Sequence, residues 1–266
     1  MNALTMQVES LLRLGVFLCL FGILAVCEVY FPRRKLNFSK PQRWLSNISI
    51  SILNTALART VIPFAGVAGA LLAQEKNLGM FTLLSLPAWL EFVLFLLLFD
   101  LVIYFQHRLF HAVPPLWKLH RMHHTDPDYD VTTGNRFHPV SILLSSLIKF
   151  ALILVTGPQI SAVIVAELLL NATSMFNHSN IRIPQKIDRW LRLLIVTPDM
   201  HRVHHSTDNV EHNHNFGFNF PWWDRLFTTY KAQPQAGHDM MEIGISGFQD
   251  TGSTHLFSIL AQPFQK

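Results

Sequence analysis

Histidines are concentrated in three short motifs of this 266-residue chain, which contains 14 of them. The motifs are HRLFH at residues 107–111, HRMHH at residues 120–124 and HRVHH at residues 201–205. Side chains three or four positions apart share one helical face, so each motif is predicted to offer its imidazoles to one point. Converging imidazoles are typical of metal sites, and all-nitrogen sites suit zinc, copper, iron and nickel alike. The motifs therefore predict a metal centre without choosing the metal.

The other histidines are isolated, and their pattern is less informative. His178 follows an apolar stretch and His138 precedes a proline, and each is as compatible with a polar packing role as with ligation. An interfacial or loose surface role for the three motifs is the alternative, but densely stacked imidazoles repel one another once protonated and serve no packing purpose. Four further histidines are predicted to be ordinary polar surface residues: His212, His214, His238 and His255.

The elements that must position these motifs are long apolar helices. Half of the residues are hydrophobic and 14% are charged, against roughly 25% charged in soluble domains. Gly157 and Pro158 interrupt the last apolar region, which predicts two short spans or a re-entrant hairpin there. The sequence therefore predicts an all-α integral membrane bundle of about four spans with a histidine-rich helical cap. The apolar regions approach or exceed the about 20 residues that cross hydrocarbon: residues 11–31, 44–73, 85–106 and 140–176.

Helix signals flank the motifs. Pro114 and Pro115 are predicted to end the third apolar helix just after the first motif. Before the third motif, Thr197 is a candidate N-cap and Pro198 suits the first helical position. All three motifs are therefore expected on helices near one membrane face.

Charged residues suggest the orientation of the bundle. Five basic residues lie between positions 33 and 43, whereas the loop at 74–84 carries one lysine and one glutamate. The positive-inside rule then places the N-terminus outside, and the 33–43 segment, the histidine motifs and the C-terminus in the cytoplasm. The net charge of +4 is too small to predict nucleic-acid binding. Two cysteines within one apolar run predict neither a disulfide framework nor a thiolate metal site.

Two acidic residues lie inside apolar regions, where ionisable groups are costly and often functional. Asp100 lies two helical turns before His107 on the same face, which suggests that its carboxylate orients a ligand imidazole. Glu167 lies three turns before His178. For Glu167, an ion pair inside the bundle is as good an interpretation as a functional role.

The segment from about Asp100 to about Tyr230 resembles the fatty acid hydroxylase superfamily, specifically bacterial members of the sterol desaturase type. The resemblance rests on DLVIYFQHRLFH, LWKLHRMHHTD, DVTTGNRFHP, FNHSNIRIP, TPDMHRVHHS, NFGFN and WWDRLFTTY. It adds Asn215, in the Asn-Phe-Gly element, as a candidate to support the site, and His138 as a possible ligand. The resemblance implies that two irons are held by nine histidines: His107, His111, His120, His123, His124, His178, His201, His204 and His205.

Three positions depart from the family pattern. Ser141 stands where relatives often carry an acidic residue, and Thr228 stands where the WDRLFGT element has glycine. Ser174 stands where fatty acid 2-hydroxylases place a further histidine, which implies a thinner ligand set around one metal.

The resemblance implies an O2-dependent di-iron oxygenase that hydroxylates or desaturates a lipid or sterol-like substrate. Iron suits this role because C–H oxidation requires a redox-active metal, and zinc has no redox chemistry. The implied setting is a bacterial inner membrane with the active site on the cytoplasmic face. The lipid is expected to enter from the bilayer, and electrons to come from a separate ferredoxin-like or haem carrier.

Two other functions fit the same motifs. One is an oxidative lipid-cleaving enzyme on the same site, and the other is a non-redox metal-binding membrane protein. The chain is expected to form a single domain over residues 1–266, with N-terminal spans at 1–84, a catalytic core at 85–230 and a tail at 231–266.

Overall fold

The computed structural model describes residues 3–265, with side chains described from residue 10 onward. Every regular element in that range is helical, which confirms the all-α prediction. Three short 3-10 helices accompany the α-helices. The α-helices are α1 Ala3–Tyr30, α2 Lys40–Val61, α3 Val67–Glu75, α4 Met80–Leu84, α5 Ala88–Ala112, α6 Pro114–His124, α7 Pro139–Thr156, α8 Ile160–Asn177, α9 Gln185–Leu191, α10 Pro198–His204, α11 Asn209–His212, α12 Trp222–Leu226, α13 Gly237–Met240 and α14 Leu256–Ala261.

Four of these helices are long and apolar enough to cross a membrane: α1 from Ser10 onward, α5, α7 and α8. This confirms the predicted number of about four spans. The last apolar region divides at Gly157, whose left-handed φ of 63° ends α7 before Pro158. At about 1.5 Å per residue, the 18 residues of α7 and of α8 each reach about 27 Å, close to the thickness of the hydrocarbon core. The region therefore forms two separate apolar helices.

The second predicted apolar region does not form one continuous apolar helix. α2 is not among the four candidate spans, because its sequence contains many polar residues, including the buried Asn47 and Asn54. The chain then turns at Gly66, with φ 68°, before α3. Even so, α2 and α3 together carry the chain to the far end of the bundle, where a Cβ on Gly79 would lie 2.2 Å from the backbone nitrogen of Gly157.

The apolar core lies between α5 and its neighbours. Phe95, Phe99 and Ile103 project from α5 and are at most 3% exposed, and they pack with Ile153 of α7 and Val163 of α8. This core fixes the relative positions of the three helices whose ends carry His107, His138 and His178. The protein therefore builds its histidine-rich end on the rigid ends of apolar helices.

The short helices at this end start as the sequence predicts. Pro114 and Pro115 occupy the first turn of α6, directly after α5 ends. Thr197 caps α10 by accepting a hydrogen bond from the Met200 N–H, and Pro198 occupies its first position. The tail returns to the same end, where Gln262 accepts a hydrogen bond from the Thr125 hydroxyl.

Candidate metal centre

The nine histidines that the resemblance implies come together in two adjacent sets, in each of which one nitrogen per residue lies within 4.8 Å of the others. Eight of the nine side chains are buried, and His111 is half-buried. The sets touch, since the rings of His124 and His205, one from each, are 4.5 Å apart. Set one is His107, His111, His120, His124 and His204; set two is His123, His178, His201 and His205.

Each HxxHH motif contributes to both sets, which corrects the expectation that one motif serves one point. In the second motif, His120 and His124 belong to set one and His123 to set two. The third motif is divided the opposite way: His204 belongs to set one, and His201 and His205 belong to set two. The reason is helical geometry: residues four apart lie about 40° apart around the axis, whereas adjacent residues diverge by about 100°. Two such motifs therefore direct their imidazoles to two neighbouring points.

Backbone carbonyls fix the tautomers of three of these histidines. The Nδ1–H of His107 donates to the Phe216 carbonyl at 2.8 Å, that of His204 to the His214 carbonyl at 2.7 Å, and that of His178 to the Ser174 carbonyl at 2.7 Å. A carbonyl can only accept, so the Nε2 atom of each neutral ring carries a lone pair. Such bonds are what metal-ligating histidines usually make with their other nitrogen.

The free lone pairs face one another. Nε2 of His107 lies 2.9 Å from Nε2 of His204, and neither neutral ring has a proton to place between them. Nε2 of His178 likewise lies 3.1 Å from Nε2 of His123. Nitrogens bound at about 2.1 Å to adjacent corners of one ion lie about 3 Å apart. A cation between the rings therefore fits this donor set better than hydrogen bonding does.

Burial keeps the imidazoles neutral, which is the state that binds a metal. Burial, followed by repulsion from neighbouring imidazoles, holds the pKa of His201, His204 and His205 well below the usual value. Burial also lowers the pKa of His178 to about 3. Both ring nitrogens of His201 and His205 are buried without a hydrogen-bond partner among the described residues. Buried polar groups are seldom left unsatisfied, so these nitrogens point to ligation.

The structure also places three isolated histidines, of which His212 and His238 differ from the expected surface residues. His138 joins neither set; its Nδ1 accepts from the Val140 N–H and so caps α7. His212 is not a surface residue: it is buried, with its ring 4.7 Å from that of His111. His238 is also buried, near the Asp199 carboxylate. Both residues lie in single helical turns, α11 Asn209–His212 and α13 Gly237–Met240, that pack against α10, and neither turn has a periodicity that reveals which face is inward.

The sequence suggested that Asp100 orients an imidazole, but in the structure its carboxylate does not do so directly. Its carboxylate accepts from the backbone N–H groups of Asn219 and Phe220 and from the Trp223 indole. The effect on the centre is indirect, because this chain segment also contains Phe216, whose carbonyl orients His107.

Asn215 supports the centre through hydrogen bonds to backbone carbonyls. With a left-handed φ of 56°, it donates to the carbonyls of Met200 in α10 and of Lys231. It thereby ties the helix that carries the third motif to the following loop. The sequence did not reveal Asp224, whose buried carboxylate accepts from the backbone N–H groups of Phe216 and Gly217. No motif marks it beyond its place in the WDRLF element.

The departures from the family pattern have local structural counterparts. Ser174 leaves set two with four members, and its hydroxyl donates to the Gly134 carbonyl. Gly134 has no room for a side chain, since a Cβ would lie 2.7 Å from the Ser174 carbonyl oxygen. Thr228 adopts a φ of 58°, which explains why glycine suits that position.

A cavity of about 640 Å³ reaches set one. His107 and His120 form part of its wall, together with Phe110 and Phe218. It continues away from the histidines along the face of α7, where Ser145 and others line it. We refer to it as the chamber. It gives a small molecule access to set one from within the helical bundle.

Apolar spanning helices, a chamber between them and two buried imidazole sets together define an integral membrane protein of the histidine-motif class. The sequence profile of the fatty acid hydroxylase family matches residues 92–229. The chain belongs to this family. No solved structure matches it significantly.

The relatives act on lipids, as their names state. The chain is 31% identical over 184 residues to ornithine lipid hydroxylase OlsE of Rhizobium tropici, covering 68% of this chain and 52% of that protein. It is 30% identical over 138 residues to alkylglycerol monooxygenase of Homo sapiens, covering 50% of this chain and 29% of that protein. The alkylglycerol monooxygenase of Caenorhabditis elegans is 26% identical over 196 residues. The chain thus spans about half or less of the length of these relatives.

Proposed function

We propose that this protein is an O2-dependent di-iron oxygenase that hydroxylates a C–H bond of a membrane lipid. The observation that carries the proposal is the pairing of two buried imidazole sets with a chamber that opens onto one of them. Family membership and relatives named as a lipid hydroxylase and a monooxygenase support hydroxylation over desaturation.

In this proposal, set one and set two each hold one iron. Iron bound there would supply the redox chemistry that activates O2 and oxidises a C–H bond. The protein keeps the imidazoles neutral by burial and holds the rings of His107, His178 and His204 by their Nδ1–H bonds to carbonyls. Apolar walls at Phe110 and Phe218 exclude water beside set one and leave room for an alkyl segment.

Substrate and electrons enter separately in this proposal. The chamber lies among helices that are long and apolar enough to span a bilayer, which supports entry of a lipid from within the membrane. Electrons come from a separate ferredoxin-like or haem carrier.

Metal analysis and product analysis test the proposed function. Protein purified aerobically from iron-supplied cells is expected to contain about two irons per chain, because nine imidazoles exceed what one ion can bind. Lipid extracts of cells that express the chain are expected to gain products 16 mass units heavier, labelled from ¹⁸O2 but not from H2¹⁸O. A protein that holds only zinc and yields no labelled lipid would instead be a non-redox metal-binding protein.

We also propose that the histidine sets face the cytoplasm. The basic segment lies at the same end as the centre, because the Arg33 N–H donates to the Asn180 carbonyl just after His178. Positive residues favour the cytoplasmic side. Reporter domains fused at residue 76 and at the C-terminus are expected to report outside and inside, respectively. An external C-terminus would contradict this orientation.

A further inference from the structure

Charged side chains from three apolar helices meet in the wall of the chamber. Arg13 of α1 binds one oxygen of Glu167 in α8 at 2.8 Å, and Lys149 of α7 lies 3.8 Å from the other oxygen. This confirms the ion-pair interpretation of Glu167. All three side chains line the chamber. Ionisable groups at this depth are expensive to place and usually mark a substrate path or site.

Lys149 is the member with unused hydrogen-bonding capacity. Its Nζ lies 3.8 Å from Oε1 of Glu167, which is close enough for an ion pair but too far for a hydrogen bond. Lys149 donates no hydrogen bond to any residue whose side chain the structure describes. Its side chain is 20% exposed, on the chamber side. An ammonium has three donors, and leaving them unsatisfied away from bulk water is unfavourable. The ammonium of Lys149 therefore has donors available for an acceptor that enters the chamber.

The chamber connects Lys149 to the metal centre along one helical face. Ser141, Ile142, Ser145 and Ser146 line it in succession from the N-terminus of α7 towards Lys149. Three of the four are serines, whose small side chains leave room for a chain-like molecule. Glu167 lies eleven residues before His178 on α8, so the charged site is about 16 Å from the histidines along the helix.

This distance is about half the thickness of the hydrocarbon core, which is the depth of one leaflet. An extended lipid chain can span it. A molecule with its head at Lys149 would therefore place carbons far from that head, rather than carbons next to it, beside His107 and His120.

We propose that the chamber binds a single-chain or acyl segment lengthwise, with an anionic headgroup on Lys149 and the distal half of the chain at set one. The charged residues in the described wall are three cations, Arg13, Arg59 and Lys149, and one carboxylate, Glu167. This excess of positive charge favours an anion. Carboxylate and phosphate heads share the required chemistry. The inference rests on the proposed function, because it assigns the substrate of the same centre.

Spin-labelled stearic acid and its methyl ester are suitable probes, because they differ only in the charge of the head. Binding to the purified full-length protein in neutral-lipid nanodiscs is measured as the immobilised fraction of the nitroxide signal. Wild-type protein is expected to bind the acid at least about tenfold more tightly than the ester. Lys149→Met is expected to remove this preference without weakening ester binding, Lys149→Arg to retain most of it, and Lys186→Met, on the exposed surface of α9, to leave it unchanged. Unaltered metal content shows that each variant is folded.

The position of the nitroxide tests the direction of binding. With cobalt(II) loaded in the histidine sets, a label at carbon 16 of the acid is expected to relax faster than a label at carbon 5. A phosphate-headed probe that binds as tightly as the acid would show that the site accepts phosphates as well, and one that does not bind would restrict the site to carboxylates; both results support the proposal. Equal affinities for acid and ester in the wild type, or faster relaxation at carbon 5, would overturn it. Because binding is read without turnover, a missing ¹⁸O2 product counts against the proposed function alone.

Discussion

His204→Ala is expected to abolish lipid oxidation and to remove one of the two proposed irons. His204 contributes to set one, faces His107 at 2.9 Å, and is oriented by the His214 carbonyl. The neighbouring His212 ring lies parallel to that of His204 at 5.9 Å and is not a member of the set. Iron per chain, measured by elemental analysis of the detergent-solubilised protein, should fall from about two to about one.

His178→Ala gives the matching test of set two. The sequence pattern alone left this residue undecided, whereas the structure places its Nε2 3.1 Å from that of His123. The variant should also lose one iron and all turnover. His255→Ala, an exposed substitution outside both sets, should keep iron and activity and change stability by no more than about 0.5 kcal/mol. Full iron content and full turnover in a folded His178→Ala protein would show that this histidine is structural.

Arg43→Met is expected to destabilise the protein by about 3–5 kcal/mol. Arg43 is fully buried and binds both oxygens of Asp126, at 2.7 and 2.9 Å, and one oxygen of Asp130 at 2.6 Å. Removing the guanidinium leaves two buried carboxylates with too little positive charge. Asp126 follows His124 by two residues, so a loss of order around Asp126 is expected to disturb the histidine sets as well. Thermal unfolding in detergent and iron content should both show the loss.

The conservative and control variants separate charge from geometry in this network. Arg43→Lys keeps the charge but lacks the planar guanidinium that binds both oxygens of Asp126 together with one of Asp130, so an intermediate loss is expected. Lys76→Met, whose side chain is 59% exposed beside Glu75, should change stability by less than about 0.5 kcal/mol. A wild-type melting temperature for Arg43→Met would contradict the assigned role.

The same network predicts a response to acid. Burial by itself raises the pKa of Asp126, but the charges of Arg43 and Arg136 more than offset it and lower the pKa from 3.8 to about 2. A carboxyl with a lowered folded pKa stabilises the fold above its unfolded pKa and loses that effect as the pH falls through the folded value. The contribution of Asp126 is therefore complete at neutral pH and disappears between those two values.

The sequence by itself determined the helical membrane class and the eight histidines of the three motifs, whereas only the family resemblance added His178. These follow from local regularities: apolar runs of spanning length, proline at helix starts, and imidazoles at intervals of three and four residues. Such features depend on residues close together in the chain. The position of Thr197 and Pro198 before the third motif correctly located the start of α10 for this reason.

Only the tertiary structure decided how these histidines are shared and what supports them. The division of each HxxHH motif between two sets depends on how α6 and α10 face each other, which spacing along one helix does not specify. The ion pairs of Arg43 with Asp126 and of Lys149 with Glu167 join residues far apart in sequence. Asp100 lies on the face of α5 that its spacing predicted, yet it binds a loop more than a hundred residues away instead of an imidazole. Periodicity gives the direction in which a side chain points, but its partner is set by the packing of elements that meet only when the chain folds.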